Sequence, residues 1–283
     1  MMNLKKNLLF VLIITLTTIL PGEEITVSAT KYINWDEGIV TLDITAAGET
    51  AWTAPSSRYN MDKLISKRAP VLTAEAISDI PLSSLDTIGS AILNNTTLYG
   101  DLLKLPNQVG KTFSTASEDR KSLTVRYDIP IYPDIASLFI NRKTADAVSV
   151  DLRYKATADF TGIIIYAGEE LPLRSTNRKT LLTPSIFPRI FDENLNPVLD
   201  MSIVDPEYLK MWGTAGFSID EKREYYGDRV GAFPLRTMAM AIFGKNETDL
   251  IISETSVRKI LSSEHNRKLL IEGRVMIIYS DLK

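Results

Sequence analysis

The chain has 283 residues, 24% of them charged and 45% hydrophobic, with a formal net charge of −3 and no cysteine. These proportions describe a folded chain of one large domain or two small ones. They exclude disulfides, thiolate metal sites, iron–sulfur clusters, cysteine nucleophiles and a lipid-modified N-terminal cysteine.

The N-terminus comes first and reads as an export signal. Lys5 and Lys6 form a short basic region, and Leu8–Leu20 is an uncharged apolar run, shorter than the about 20 residues a membrane helix needs. Cleavage after Gly22 and cleavage after Ala29 both fit. The second is preferred, because small residues occupy Val27-Ser28-Ala29 and the first strand pattern follows directly. An uncleaved anchor is the competing reading, disfavoured by Pro21, Gly22 and two glutamates that end the run early. No later stretch is long enough to cross a bilayer, so no stable membrane span is expected after cleavage.

Downstream, Tyr32–Trp35 and Ile39–Ala46 flank the turn Asp36-Glu37-Gly38, and alternation of Val40, Leu42, Ile44 and Ala46 with polar residues predicts a half-buried hairpin. From Asn60 to Leu93 the apolar spacing is helical, through Leu64, Ile65, Leu72, Ala76 and Ile77 and on to Leu82, Leu85, Ile88 and Ile92. Pro70 and Pro81 are expected to divide this region. A further helical piece around Tyr99–Lys104 is expected to stop at Pro106, and Lys121–Ile131 alternates as a strand.

A polar stretch, Asn141–Asp146, suggests a boundary near 142. The organisation read from sequence is therefore a signal at 1–29, an N-terminal lipoprotein-like α+β domain at 30–142 and a C-terminal α+β domain at 143–283. In the second half Ala147–Tyr154 and Phe160–Ala167 carry strand patterns, and the Pro-rich residues 168–200 read as edge or loop. Asp205 before Pro206, and Ser253, have the character of helix N-caps. Leu235–Phe243, Asp249–Ile252 and Arg274–Tyr279 complete the strands. The fold class is α+β, with antiparallel sheet layers covered by helices on one face in two subdomains.

Ordered blocks carry a resemblance: Phe160–Ile165, Leu182–Glu193, Asp228-Arg229-Val230-Gly231 with Pro234-Leu235, Thr248–Ser253 and Gly273–Ile278. In sequence they are similar to a family of secreted bacterial envelope proteins related to small LPP-type outer-membrane lipoproteins, including the flagellum-associated FlgP. The resemblance implies a non-enzymatic envelope protein near flagellar or peptidoglycan machinery. Departures are Tyr166 where the family often has Asp, Leu195 where a turn Gly is common, Pro70 within the first helix, and the missing lipoprotein cysteine, which puts membrane anchoring in doubt.

Candidate chemistry is sparse. With one histidine, His265, a His-pair metal site is excluded and a Ser–His–carboxylate triad would have to use that position; its polar surroundings favour a solvated side chain. Asp192-Glu193 offers two carboxylates, but neighbours on a strand face opposite ways, and Asn194 and Asn196 favour a turn. Ser256 and Lys259 match Ser-x-x-Lys without its companion motifs. No Gly-rich phosphate loop occurs, and the near-balanced charge argues against nucleic acid.

Asp228 and Arg229, between Gly227 and Gly231, read as a loop ion pair or an anion-binding guanidinium. Trp212, Tyr225 and Tyr226 offer an aromatic contact surface or core packing. The expectation is a periplasmic or secreted, non-enzymatic protein with a structural or assembly role, no cofactor and no metal, whose partners are envelope or flagellar basal-body proteins. A small-ligand or glycan-binding module using Arg229 is the alternative. A carboxylate-dependent hydrolase would need two acids roughly 5 to 10 Å apart in one cleft.

Overall fold

The computed structural model describes residues 14–20, 23–53, 55–93, 95–151, 154–156, 158–222 and 226–280. Its contacts divide the chain into an N-terminal unit, running to Asp79 and resuming over Ile88–Leu138, and a C-terminal unit, Ile80–Thr87 together with the chain from Phe139. The architecture is α+β in two subdomains.

In the N-terminal unit the strands are β1 (Ile14–Leu20), β2 (Glu23–Asn34), β3 (Ile39–Gly48), β4 (Phe113–Ala116) and β5 (Ser122–Pro130). They form one antiparallel sheet in the order β1-β2-β3-β5-β4. Register aligns the apolar residues of one face. Val27 lies opposite Ala46 and Ala29 opposite Ile44, and on the other side of β3 Leu42 meets Tyr127 and Ile44 meets Val125. All are buried.

Helix α1 (Pro55–Ile77) covers this face through Met61, Ile65, Ala69, Leu72 and Ala76, spaced at three and four. Pro70 lies inside α1 instead of dividing it. A proline deletes one backbone donor, and here the buried stripe on both sides of it holds the helix against the sheet. Lys31 shares the buried face, opposite Leu42, and reaches Asp79 beyond the end of α1.

Three short helices follow: α2 (Ile88–Leu93), α3 (Thr96–Leu102) and α4 (Leu105–Val109). Asn95 caps α3 by accepting from Leu98 N–H at 3.1 Å. Pro106 begins α4 rather than ending a helix, because the first turn needs no N–H from it.

Two expectations change here. The hairpin is longer than Tyr32–Ala46, since β2 starts at Glu23 and pairs with β3 from Ile25 onward. A chain start after Ala29 therefore falls inside a strand. Residues 1–13, 21 and 22, which include the basic region and the Gly22 position, lie outside the described residues. The helical pattern also fails over 80–87, where Pro81 removes a donor and Ser83 Oγ accepts from Leu85 N–H (3.2 Å) and Asp86 N–H (3.4 Å), closing a turn.

The C-terminal unit contains β6 (Ile163–Ala167), β7 (Leu171–Pro172), β8 (Lys179–Thr180), β9 (Ile190–Phe191), β10 (Pro197–Leu199), α5 (Pro206–Trp212), β11 (Gly216–Ser218) and α6 (Gly227–Val230). β12 (Leu235–Phe243), β13 (Asp249–Ile252), α7 (Glu254–Leu261), α8 (Glu264–Ile271) and β14 (Val275–Tyr279) complete it. Seven strands form a sheet in the order β10-β9-β13-β12-β6-β14-β11.

This sheet is mixed rather than purely antiparallel. β11, β14, β6 and β12 run parallel, as do β13 and β9. The continuous apolar composition of β6 and β14 matches strands covered on both faces; β14 is buried at every residue. The expected strand at 147–154 is missing among its described residues. Asp146 N–H bonds Ser202 O and Arg142 donates to the carbonyls of Ser202 and Val204, so this stretch is held by loop contacts.

Candidate functional site

Where the parallel strands begin, glycines let the chain pack tightly. A Cβ on Gly162 would lie 2.4 Å from Val230 Cα, and one on Gly216 would lie 2.8 Å from an Arg229 guanidinium nitrogen. Into this corner α6 delivers Arg229, 8% exposed. Its guanidinium donates to the carbonyls of Gly273 (2.9 Å), Trp212 (2.9 Å) and Gly213 (3.2 Å) and stacks over the Trp212 ring at 5.2 Å. Trp212 Nε1–H donates to Glu272 O at 2.9 Å, and Tyr208 stacks on Trp212 with ring centroids 6.0 Å apart.

Arg229 and Trp212 are thus brought together, in a locking rather than a receiving role. The guanidinium is spent on backbone carbonyls of the α5–β11 and α8–β14 turns. Tyr226 packs with Ile164, Val230, Met276 and Ile278 in the core, donates to Glu221 O at 2.6 Å, and burial followed by the nearby Tyr166 pushes its phenol above the ordinary 10.0. Asp228 stands in the first turn of α6. Tyr225 lies outside the described residues.

The other sequence candidates also have defined partners. Asp192 Oδ1 accepts from Asn194 N–H (2.9 Å) and Asn196 N–H (2.7 Å), closing a turn in which Leu195 has φ +64°. This is the position where a glycine was expected from the resemblance. Glu193 accepts from Glu254 N–H at 2.9 Å, a second cap on α7 beside Ser253. The Ser256 hydroxyl is bonded to those of Thr237 (2.8 Å) and Ser253 (3.0 Å).

A cleft of about 320 Å³ opens beside the Arg229 lock, lined by Phe160, Thr161, His265, Lys268, Glu272 and Arg274 among others. Helix α8 presents His265 and Lys268, and Glu272 is its C-cap. His265 Nε2 is 2.8 Å from Phe160 O. Glu272 divides its oxygens between Arg274 (2.8 Å) and Lys268 (3.6 Å), and Arg274 donates to Arg229 O at 3.2 Å. Asn266, fully buried, pins α8 to the approach of β6 by accepting from Phe160 N–H and donating to Ala158 O.

Two cations face one carboxylate here, so the lining is locally positive in a chain of net charge −3. Ligand crevices of parallel sheets open at the carboxyl ends of the strands, whereas this cleft lies where β6 and β14 begin. Among its lining residues Glu272 is the single carboxylate, which is not the two-acid arrangement of a glycosidase-type hydrolase. Among the described residues no group of three or more His, Asp or Glu could hold a metal ion.

Sequence reasoning did not find α8 or the roles of Lys268, Glu272 and Arg274. The available signal was Ser263, whose hydroxyl caps α8 by accepting from Asn266 N–H.

Residues 26–138 match the family model described as the N-terminal domain of Treponema pallidum Tp0624, and residues 162–281 match that described as its second domain. No curated protein matches the chain. The first match starts at residue 26, within β2 and before Ala29.

Proposed function

We propose that this is an exported, non-enzymatic protein of the bacterial envelope that acts by contact with other envelope proteins, those of flagellar basal-body or peptidoglycan-associated assemblies. The observation that carries the reading is β12. Its inward residues Leu235, Thr237 and Ala239 are buried, while Arg236, Met238 (62% exposed) and Met240 (47%) face out, with Phe233 (75%) just before the strand. Flexible methionines beside an arginine suit adaptable protein contacts. Cleavage after Gly22 would keep β2 whole and remove β1, the edge strand paired with it. No helix among the described residues is long and apolar enough to cross a membrane.

A photo-crosslinking residue at Met240, in intact cells, tests the proposal against the same probe at Glu207 on α5. Envelope proteins captured from Met240 and not from Glu207 support it. Recovery of uncrosslinked monomer from both positions sinks it.

The cleft favours a second reading, a module for small anionic ligands bearing a carboxylate or phosphate, held by Lys268 and Arg274. Titration with inorganic phosphate, followed by NMR of the Lys268 and His265 signals, tests it. Saturable shifts lost in Lys268→Ala support the reading; linear, unsaturable shifts refute it.

A further inference from the structure

Residues Ile80–Thr87 belong to the C-terminal unit, although Asp79 and Ile88, on either side, belong to the other. The segment is a closed loop. Leu82 N–H donates to Asp86 O at 2.9 Å, Pro81 pairs with Thr87, and at the base Gly89 N–H donates to Ser78 O at 2.7 Å. The base requires glycine, since a Cβ at 89 would lie 2.9 Å from Ser78 O.

The loop seats on the C-terminal unit as a bound peptide would. Ile186 N–H and Phe187 N–H donate to Pro81 O (3.0 Å) and Leu82 O (2.8 Å), two consecutive main-chain bonds that clamp the start of the loop. Asn246 grips the loop twice, its N–H on Ser84 O (3.0 Å) and its amide on Ser83 O (2.9 Å). Ser84, fully buried, is the tip. Its hydroxyl accepts from Arg189 at 2.5 Å, and Arg189 is itself fixed by the fully buried Asp249 at 2.7 Å.

The seat also selects for size. A Cβ on Gly244 would fall 2.2 Å from Ser84 Cβ, so the floor is a glycine because a side chain enters above it. Small tip, main-chain donors from Ile186, Phe187 and Asn246, and a charge-oriented side-chain donor together make a recognition site for one kind of partner.

We propose that Ile186–Arg189 with Gly244 and Asn246 forms a socket specific for a closed Pro-Leu-Ser-Ser loop, filled here by residues 80–87 of the same chain and able to take that loop supplied separately. The socket is distinct from the cleft and from the outward face of β12, and it does not depend on either reading of function. The loop's own closing bonds, Leu82 N–H to Asp86 O and Gly89 N–H to Ser78 O, limit the ordering that docking requires.

The test uses the full chain and a synthetic peptide of residues 79–88, closed by a disulfide between added terminal cysteines. Ser84→Arg evicts the resident loop by size. The peptide is expected to bind Ser84→Arg at least about tenfold more tightly than the wild type, whose socket is occupied, and to lose that advantage when Asn246→Ala is added. Equal binding to wild type and Ser84→Arg, binding to neither, or indifference to Asn246→Ala overturns the proposal. If Ser84→Arg leaves the C-terminal unit unfolded by Trp212 fluorescence, recovery of the folded signal on adding peptide supports the socket, and failure to recover overturns it.

Discussion

Replacing Arg229 by methionine isolates the Arg229 lock. The substitution keeps the apolar stem and removes a guanidinium that is 8% exposed and donates to three carbonyls, those of Gly273, Trp212 and Gly213. Hydrogen bonds from charged donors contribute about 1.5 to 3 kcal/mol each, and a buried acceptor left bare costs about 1 to 3 kcal/mol. These terms overlap, and removing a buried charge relieves part of its desolvation cost. The expected loss is about 3 kcal/mol. For a unit of this size that lowers Tm by roughly 6 to 12 °C.

Urea unfolding followed by Trp212 fluorescence, with Trp35 and Trp52 replaced by Phe in both proteins, reads the C-terminal unit. Arg229→Lys should recover less than half the loss, because one ammonium cannot span three carbonyls set by a planar fork. A loss under about 1 kcal/mol for Arg229→Met would refute the reasoning, since it would mean that water reaches these carbonyls in the guanidinium's place.

Lys31 and Asp79 should respond unequally. Asp79→Ala leaves a buried ammonium bare and should cost about 3 kcal/mol, whereas Lys31→Met leaves a half-exposed carboxylate that water can solvate and should cost under about 1 kcal/mol; equal losses in denaturant melts would contradict this. Gly162→Ala should destabilise by at least about 2 kcal/mol, because its Cβ meets Val230 backbone rather than a movable side chain. Thermal melts check that value. Burial, and then the Asp62 charge, raise the Tyr127 phenol above its ordinary 10.0 against a hydrogen bond from Ser66. The folded state therefore holds the proton longer, so stability is full below about pH 10 and falls as pH rises toward the higher folded value. Tyr127→Phe should flatten that alkaline decline in urea midpoints between pH 9 and 11. Leu195→Gly should stabilise the chain by up to about 1 kcal/mol by relieving φ +64°, measured by calorimetry.

What could be read in advance was local. Alternation in Ile39–Ala46 fixed which face of β3 is buried, because a strand's side chains must alternate and Val40, Leu42, Ile44 and Ala46 had nowhere else to point. Asp205 before Pro206 was enough to start α5, since one side chain accepts the N–H of Glu207 and the proline has none to satisfy. The strand patterns at Phe160–Ala167 and Arg274–Tyr279 marked β6 and β14 in advance.

Pairing and partnership were decided only by the tertiary structure. Nothing local distinguishes the parallel neighbours β6, β12 and β14 from antiparallel ones, because register and direction depend on segments more than sixty residues apart. Pro70 reads as a helix breaker until the sheet beneath α1 makes continuation favourable. Arg229 reads as an anion ligand until three carbonyls from distant turns close on it. Residues 80–87 carry a helical apolar spacing, yet their seat is built from Ile186–Arg189 and Gly244–Asn246. A side chain's chemical type is written in the sequence, but the groups that saturate it come from elsewhere in the chain, and only folding brings them within bonding distance.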